Sequence, residues 1–292
     1  VIVDASTNEE TKKYVGNLAN PRARFEVIYE KQVKGGTSSA RNIGTEKCSG
    51  DVVIFLDDDV MLGERYIEEI LNTYANDRKG RVGGVTGAVL PDKSRGKHLK
   101  ELSSRLYRTI FLWDSLKNYG RVLRTGMLPT PLPDAHTYVQ AFHGYNMSFR
   151  RHVFDEFRFD EKLENIYPWA YGEDVDFSYR VGKKYLLLVN PKARLVHGFS
   201  QNGNYKHDPR FYFYSSTMLV RNFYYIMCKN FADSFINKIV FSWAFTGLLI
   251  GRIVSFLLNP TKRKWLALKG VINGLKLTLL TKTSLGREND SS

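Results

Sequence analysis

Three consecutive carboxylates, Asp57, Asp58 and Asp59, follow the unbroken apolar run Val52–Leu56. Such a run reads as a strand buried on both faces of a sheet, and strand alternation sends Asp57 and Asp59 one way and Asp58 the other. Strand carboxyl ends open into the ligand crevice of an open α/β sheet. Two acids projecting there repel each other unless a cation sits between them, and all-oxygen ligands suit Mg²⁺ or Mn²⁺. The plainer reading of the same residues is a solvated acidic turn that caps the next helix.

The elements that must hold these acids alternate between strand and helix. Val1–Asp4 reads as a buried strand ending in an acid, followed by a helix start at Ala5–Glu10, and Phe25–Tyr29 reads as a second strand. Gly35-Gly36 frees the chain for a loop, after which Ser38 or Ser39 can cap a helix reaching Cys48. A helix over 63–76 carries Tyr66, Ile67, Ile70, Leu71 and Tyr74 on one face. Val82–Val89 is a glycine-rich strand, 98–118 an amphipathic stretch, and Tyr185–Val189 and Ala193–His197 two later strands. This alternation argues for an α/β fold with a parallel or mostly parallel sheet and helices on its faces.

The chain of 292 residues, 43% hydrophobic and 25% charged, is large enough for a full core. Its two cysteines, Cys48 and Cys228, have no metal-ligand spacing and fit a reducing compartment. The net charge of +13 is uneven: residues 205–292 hold 13 Lys/Arg against 4 Asp/Glu. Basic and apolar residues in one segment point to an anionic membrane surface ahead of nucleic acid, which is not expected as a partner.

Asp4 after a strand, Ala40-Arg41-Asn42 with Gly44, Asp57-Asp58-Asp59, Gly144-Tyr-Asn-Met147 with Arg150-Arg151, and Gly172-Glu173-Asp174 occur in a familiar order. Over roughly residues 1–200 the chain resembles the family 2 inverting glycosyltransferases, which share the GT-A fold. The resemblance implies a metal-dependent transfer of a sugar from a nucleotide diphosphate, a UDP or dTDP sugar being favoured, to a hydroxyl. It implies Mn²⁺ or Mg²⁺ on Asp59 and Asp57, with His197 completing the metal site. Asp4, Arg41, Asp57 and Asp58 would bind the donor, and Asp174 would be the general base. Gly144, Asn146, Met147, Trp169 and Glu173 would line the acceptor side. Glu173 and Asp176 crowd Asp174 and are expected to raise its pKa. Each assignment has a structural counterpart: Asp4 as a local cap, the acids at 173–176 as a helix N-terminus, Trp169 as packing, and His197 as an ordinary buried histidine. Family members begin with a further strand and helix ahead of the Val1–Asp4 equivalent, so the chain is expected to lack the strand that helps form the nucleobase pocket.

The catalytic domain is expected over 1–204 and a helical, membrane-associating region over 205–292. Ile239–Gly251 is uncharged, the apolar run resumes after Arg252 to Leu258, and Asn259-Pro260 breaks it before the basic cluster Lys262-Arg263-Lys264-Trp265. A helical hairpin over 239–280 dipping into the inner leaflet fits best, beside a true span or a hairpin packed on the catalytic domain. It suggests the cytoplasmic face of the cell membrane, or otherwise the cytoplasm, with a glycan or lipid-linked sugar as acceptor. The competing functions are a sugar-phosphate nucleotidyltransferase and a non-catalytic sugar-nucleotide or glycan-binding relic.

Overall fold

The computed structural model describes residues 1–18, 25–57, 59–90, 98–117, 120–130, 132–164, 171–197, 208–231 and 235–288, without the side chains of 98–102 and 280–288. Asp58, Trp169 and the expected domain boundary near 204 lie outside them.

The N-terminal strand β1 (Ile2–Asp4) pairs in parallel with β2 (Tyr29–Lys31), and helix α1 (Glu10–Leu18) joins them. These two strands form a sheet of their own. The central sheet runs β3 (Val52–Leu56), β7 (Asn146–Arg150), β5 (Val82–Val89), β8 (Leu186–His197), β4 (Val60–Leu62), with β6 (Thr137–Val139) also on β8. The α/β class holds, but the pairing differs from the mostly parallel expectation. Within the described central sheet only β5–β8 is parallel, while β3–β7, β5–β7, β4–β8 and β6–β8 are antiparallel. The reason is that β7 returns between β3 and β5, a long-range insertion that local alternation does not report. The two strands read at 185–189 and 193–197 are one, with a register shift where it passes Pro191.

Side chains of the sheet fill two cores. On one side Phe142, Phe149, Phe159 and Phe177 pack with Met147 and Val181. Phe177 stacks on Phe159 at 4.1 Å and meets Phe149 edge-on at 5.1 Å, fixing helix α5 (Glu173–Gly182) to the sheet. Burying each such ring contributes about 1.5–3 kcal/mol. On the other side α3 (Tyr66–Asn76) buries Tyr66, Ile70 and Tyr74, whereas Ile67 and Leu71 of the same expected face are half exposed.

Helix α2 (Thr37–Lys47) starts one residue before the expected caps. The Ser39 hydroxyl accepts from the Gly36 N–H at 2.9 Å, and the buried carboxylate of Glu164 accepts from the N–H groups of Ser38 and Ser39 at 2.7 and 3.2 Å. The orphan donors and positive end of α2 are therefore taken by an acid from 126 residues away. Asn42 fixes the middle of α2 by exchanging hydrogen bonds with the Phe159 backbone at 2.9 and 3.0 Å.

In the C-terminal region, α4 (His98–Ile110) and its following turn carry α7 (Phe235–Leu258). Tyr107 Oη donates to the Gly247 carbonyl at 2.6 Å, Trp113 Nε1 to Ala244 at 2.7 Å, and Trp243 Nε1 to Ile110 at 2.9 Å. After the break at Asn259-Pro260, α8 (Lys262–Glu288) packs along α6 (Arg210–Asn230), with Thr217 Oγ1 donating to Gly270 at 3.1 Å. The hairpin thus packs on the rest of the chain. The far side of α7 is apolar and exposed at Ile239, Ile250, Val254 and Leu257.

Candidate active site

Strand register brings three ligand-type side chains to one end of the sheet. Asp57 leaves the end of β3, His197 closes β8, and Val60 of β4 faces His197, which sets Asp59 beside it. His197 Nε2 lies 3.2 Å from Asp59 Oδ1, and ligand atoms of Asp57, Asp59 and His197 all fall within 4.8 Å of one another. Tyr145 stacks on the His197 ring at 4.4 Å and 15°. Asp57 is exposed by surface area, yet protein atoms crowd it on the side of the sheet. Loss of water there raises its pKa, with Arg41 opposing, Asp59 adding, His197 opposing and Glu173 adding. Two carboxylates and an imidazole with ligand atoms within 4.8 Å of one another match the donor set of a divalent ion such as Mn²⁺.

The register Leu56↔Asn146 places Gly144 and Tyr145, just before β7, next to the end of β3. Across from them α5 begins at Glu173, preceded by Gly172 at φ +83°, a left-handed turn that favours glycine. Asp174 Oδ2 accepts from the Gly144 N–H at 2.6 Å and Oδ1 from its neighbour Val175 N–H at 2.8 Å. Arg41 Nη1 donates to Glu173 Oε1 at 2.5 Å, and a Cβ on Gly144 would come 2.7 Å from Arg41 Nη2. Burial raises the pKa of Asp174, with Arg41 opposing. Burial also raises Glu173, Asp174 adding to it and Arg41 opposing. The Tyr145 phenol is pushed up to about 12, by burial first and then by the charges of Asp174 and Asp57.

Asp174, Glu173 and Gly172 line a cavity of about 340 Å³ together with His143, Tyr171 and Trp113. His143 has the Pro129 carbonyl as backbone partner, and burial lowers its pKa to about 4, so the ring is neutral at physiological pH. Its Nε2 is buried with no hydrogen-bond partner among the described residues. Arg108, also in the lining, pairs with the buried Asp114 at 3.2 Å.

Among the residues the sequence singled out, Asp57, Asp59 and His197 meet, and Arg41, Gly144, Glu173 and Asp174 meet beside them. Asn146 and Met147 do not reach the cavity, which corrects their expected acceptor-side position. Met147 is fully buried in the aromatic core. Asn146 is 2% exposed; its Oδ1 accepts from the Gly87 N–H at 3.1 Å and from the Tyr66 hydroxyl, and its Nδ2 donates to the Gly87 carbonyl at 2.8 Å. Both are strand residues of β7, turned inward by its pairing. Asp4 lies at the end of β1, where Ser6 N–H, Tyr29 Oη and Lys31 Nζ occupy its two oxygens at 2.8, 2.7 and 3.2 Å. Its hydrogen bonds with Ser6, then with Tyr29, hold its pKa well below the usual range against the cost of burial.

The model for "Glycosyl transferase family 2" matches residues 1–158. The chain belongs to glycosyl transferase family 2. It is 26% identical over 202 residues to the inactive polypeptide N-acetylgalactosaminyltransferase-like protein 5 of Macaca fascicularis, over 68% of this chain and 43% of that protein. It thus spans less than half the length of that curated relative. The mannosyltransferase PcManGT of Pyrobaculum calidifontis, solved with GDP-Man and Mn²⁺, shares the fold at TM-score 0.51 and 13% identity, over 96% of this chain and 77% of that one. TarS 1–349 of S. aureus, solved with UDP-GlcNAc, does so at 0.51 and 14%, over 94% and 69%. The fold is GT-A. Within this family 2 member, sequence reasoning missed His143, Tyr145, Tyr171 and Glu164. Tyr145 lies inside the Gly144–Met147 motif and His143 directly before it, and that adjacency is the available signal. Glu164 had none, because its partners lie far along the chain.

Proposed function

We propose that this family 2 protein is a metal-dependent inverting glycosyltransferase that moves a sugar from a nucleotide diphosphate, a UDP or dTDP sugar being favoured, to a hydroxyl of a glycan or lipid-linked acceptor. The observation that carries the reading is Asp174, a carboxylate of raised pKa in the cavity wall, oriented by the N–H of Gly144, whose neighbour Tyr145 stacks on His197 of the Asp57–Asp59–His197 group. A carboxylate whose pKa is raised by burial is a stronger base than a free aspartate, and attack by an acceptor hydroxyl requires a base within reach. Asp174 takes the hydroxyl proton as the oxygen bonds to the anomeric carbon from the cavity side. The bond to the diphosphate breaks on the opposite face, and the electron pair leaves with the diphosphate. Mn²⁺ or Mg²⁺ on Asp57, Asp59 and His197 would stabilise the charge on that leaving group. Arg41 holds Glu173 and fixes the start of α5. Asp4 carries its negative charge on the donor side through Tyr29 and Lys31; direct contact with a nucleobase requires one of them to give way.

Phe235–Leu258 is long and apolar enough to cross a membrane, and 17% of its apolar window is buried. Its exposed apolar face, with the Lys/Arg excess of 205–292, supports association of 239–280 with an anionic membrane surface at the cytoplasmic face of the cell. The name of the inactive relative favours a second reading, a non-catalytic sugar-nucleotide binder; the presence of Asp57, Asp59, His197 and Asp174 weighs against it. Calorimetric titration with UDP, with and without Mn²⁺, beside Asp59→Ala tests the donor site. Metal-dependent binding lost in the variant is expected. A folded sample silent to UDP, dTDP and GDP alike would overturn the reading.

A further inference from the structure

Taking the proposed acceptor cavity as given, we infer that the acceptor carries an anionic group of the phosphate class, bound by Arg252. Arg252 is the one charged residue in the 20-residue stretch Ile239–Leu258 of α7. Ala244 and Leu248 of that helix pack into the cluster of Trp113 and Phe223, two residues that line the cavity beside Asp174. Arg252 follows at the next four-residue step, on the same face of α7. Its charge reaches Tyr171, another lining residue, which Asp174 and Glu173 also reach. Yet Arg252 has no salt bridge among the described residues, and its Nε is buried without a hydrogen-bond partner.

Arg252 is half-buried, and a guanidinium whose Nε is shut away from water without a partner on an apolar helix face is costly; removing it would relieve that cost unless an anion completes it. The other cations near the cavity are matched: Arg108 and Arg105 share Asp114 at 3.2 and 3.7 Å, and Arg41 holds Glu173. His143 Nε2, the second orphan buried atom there, is a neutral acceptor. The cavity thus offers Asp174 and His143 to hydroxyls, while Arg252 stands outside its lining, on the α7 face that continues from Ala244 and Leu248, where it can meet an anion that extends past Tyr171. A sugar or polyol bearing a phosphate matches that order, because a guanidinium forks onto phosphate oxygens. The phosphate can belong to a lipid carrier, as the exposed apolar face of α7 would suit, or to a water-soluble polyol.

The test is calorimetric titration of the full chain in neutral-detergent micelles without divalent metal, so that phosphate is not drawn to the Asp57–Asp59–His197 group. The probes are farnesyl phosphate and sorbitol 6-phosphate, each beside its neutral counterpart, farnesol and sorbitol. At least one phosphate is expected to bind tenfold or more tightly than its counterpart, Arg252→Gln to abolish that preference, and Arg252→Lys to recover most of it. Preference for farnesyl phosphate alone assigns a lipid carrier; preference for sorbitol 6-phosphate assigns a soluble one. No preference in the wild type, or an equal one in Arg252→Gln, overturns the inference. Arg252→Met is expected to raise Tm, whereas a purely structural arginine would lower it on removal. UDP binding with Mn²⁺, run on the same samples, separates the two proposals: its absence with the anion preference intact removes the donor reading alone.

Discussion

The Gly144 N–H donates to Asp174 Oδ2 at 2.6 Å, and the space where a Cβ would sit on Gly144 is filled by Arg41 and Asp174 themselves. The absence of a side chain at 144 lets the turn before β7 touch both the acid and the arginine. Gly144→Ala would put a methyl 2.7 Å from Arg41 Nη2 and 3.3 Å from Asp174. A misplacement of this size lowers turnover by about 10²-fold. Nucleotide binding at the opposite group should change little. Steady-state kinetics with the sugar nucleotide that binds would check this; a rise in KM with kcat unchanged would contradict it.

Burial sets the ionisation of Asp174 above that of a free aspartate, and Arg41 limits the shift. Turnover should therefore rise with pH through an acid limb above the usual aspartate range, as the base loses its proton. Asp174→Asn should cost about 10²–10⁴-fold in rate with nucleotide affinity kept. Arg41→Gln removes the opposing charge and should move the limb upward. The linkage runs in the matching direction: a carboxyl with a raised folded pKa contributes stability below its unfolded value, lost as pH rises toward the folded one. A pH–rate profile of the three proteins is the measurement. An acid limb in the normal aspartate range would contradict the burial of Asp174.

Asn146 belongs to the scaffold. Its amide satisfies both backbone groups of Gly87 and the Tyr66 hydroxyl, tying β7 to β5 and α3. Asn146→Ala would leave three buried polar groups without partners, each costing about 1–3 kcal/mol. Denaturant unfolding should show a loss of at least that size, and vesicle or nucleotide binding should survive in the folded fraction. Unchanged stability with weakened acceptor use would return Asn146 to the acceptor site.

The acids were legible because their order follows from local pattern. An apolar strand that runs into Asp57 fixes where Asp57 and Asp59 emerge, and glycine before Glu173-Asp174 marks a helix start. What stayed hidden depends on pairing between distant segments. Asn146 and Met147 point to opposite faces of β7, and both are buried because β7 lies between β3 and β5 with a core on each face. Glu164 caps α2 from 126 residues away, so Ser38 and Ser39 looked like the caps themselves. The antiparallel return of β7 between β3 and β5 escaped for the same reason. His197 shows both cases: its place at a strand end was readable, while its 3.2 Å approach to Asp59 needed the β4–β8 pairing.

That pairing also makes the metal affinity separable from nucleotide binding. With Asp57, Asp59 and His197 as the ligands, His197→Ala should weaken Mn²⁺ binding by more than the roughly 10–100-fold typical of losing a group that only orients a ligand, and Asp59→Ala by at least as much. Tyr145→Ala should weaken it less, since Tyr145 acts only by stacking on the imidazole. Electron paramagnetic resonance titration of free Mn²⁺ reads this without any nucleotide. Equal affinities in the wild type and His197→Ala would remove the histidine from the ligand set.

The outer face of α7 carries the last prediction. Ile250, Val254 and Leu257 are 43%, 47% and 70% exposed on a helix whose inner face is spent on Tyr107, Trp113 and the α4 backbone. Water is a poor neighbour for such a face, and each buried CH₂ would contribute about 0.8 kcal/mol on entering a bilayer. Val254→Glu with Leu257→Glu should abolish flotation with anionic vesicles while the fold, read by circular dichroism, stays intact, because neither side chain supports the packing on α4. The Lys/Arg excess of the region adds a salt-dependent part, so flotation of the wild type should weaken, though not vanish, as ionic strength rises. Flotation lost at high salt but untouched by the two glutamates would mean that the basic residues alone meet the membrane and that α7 does not enter it.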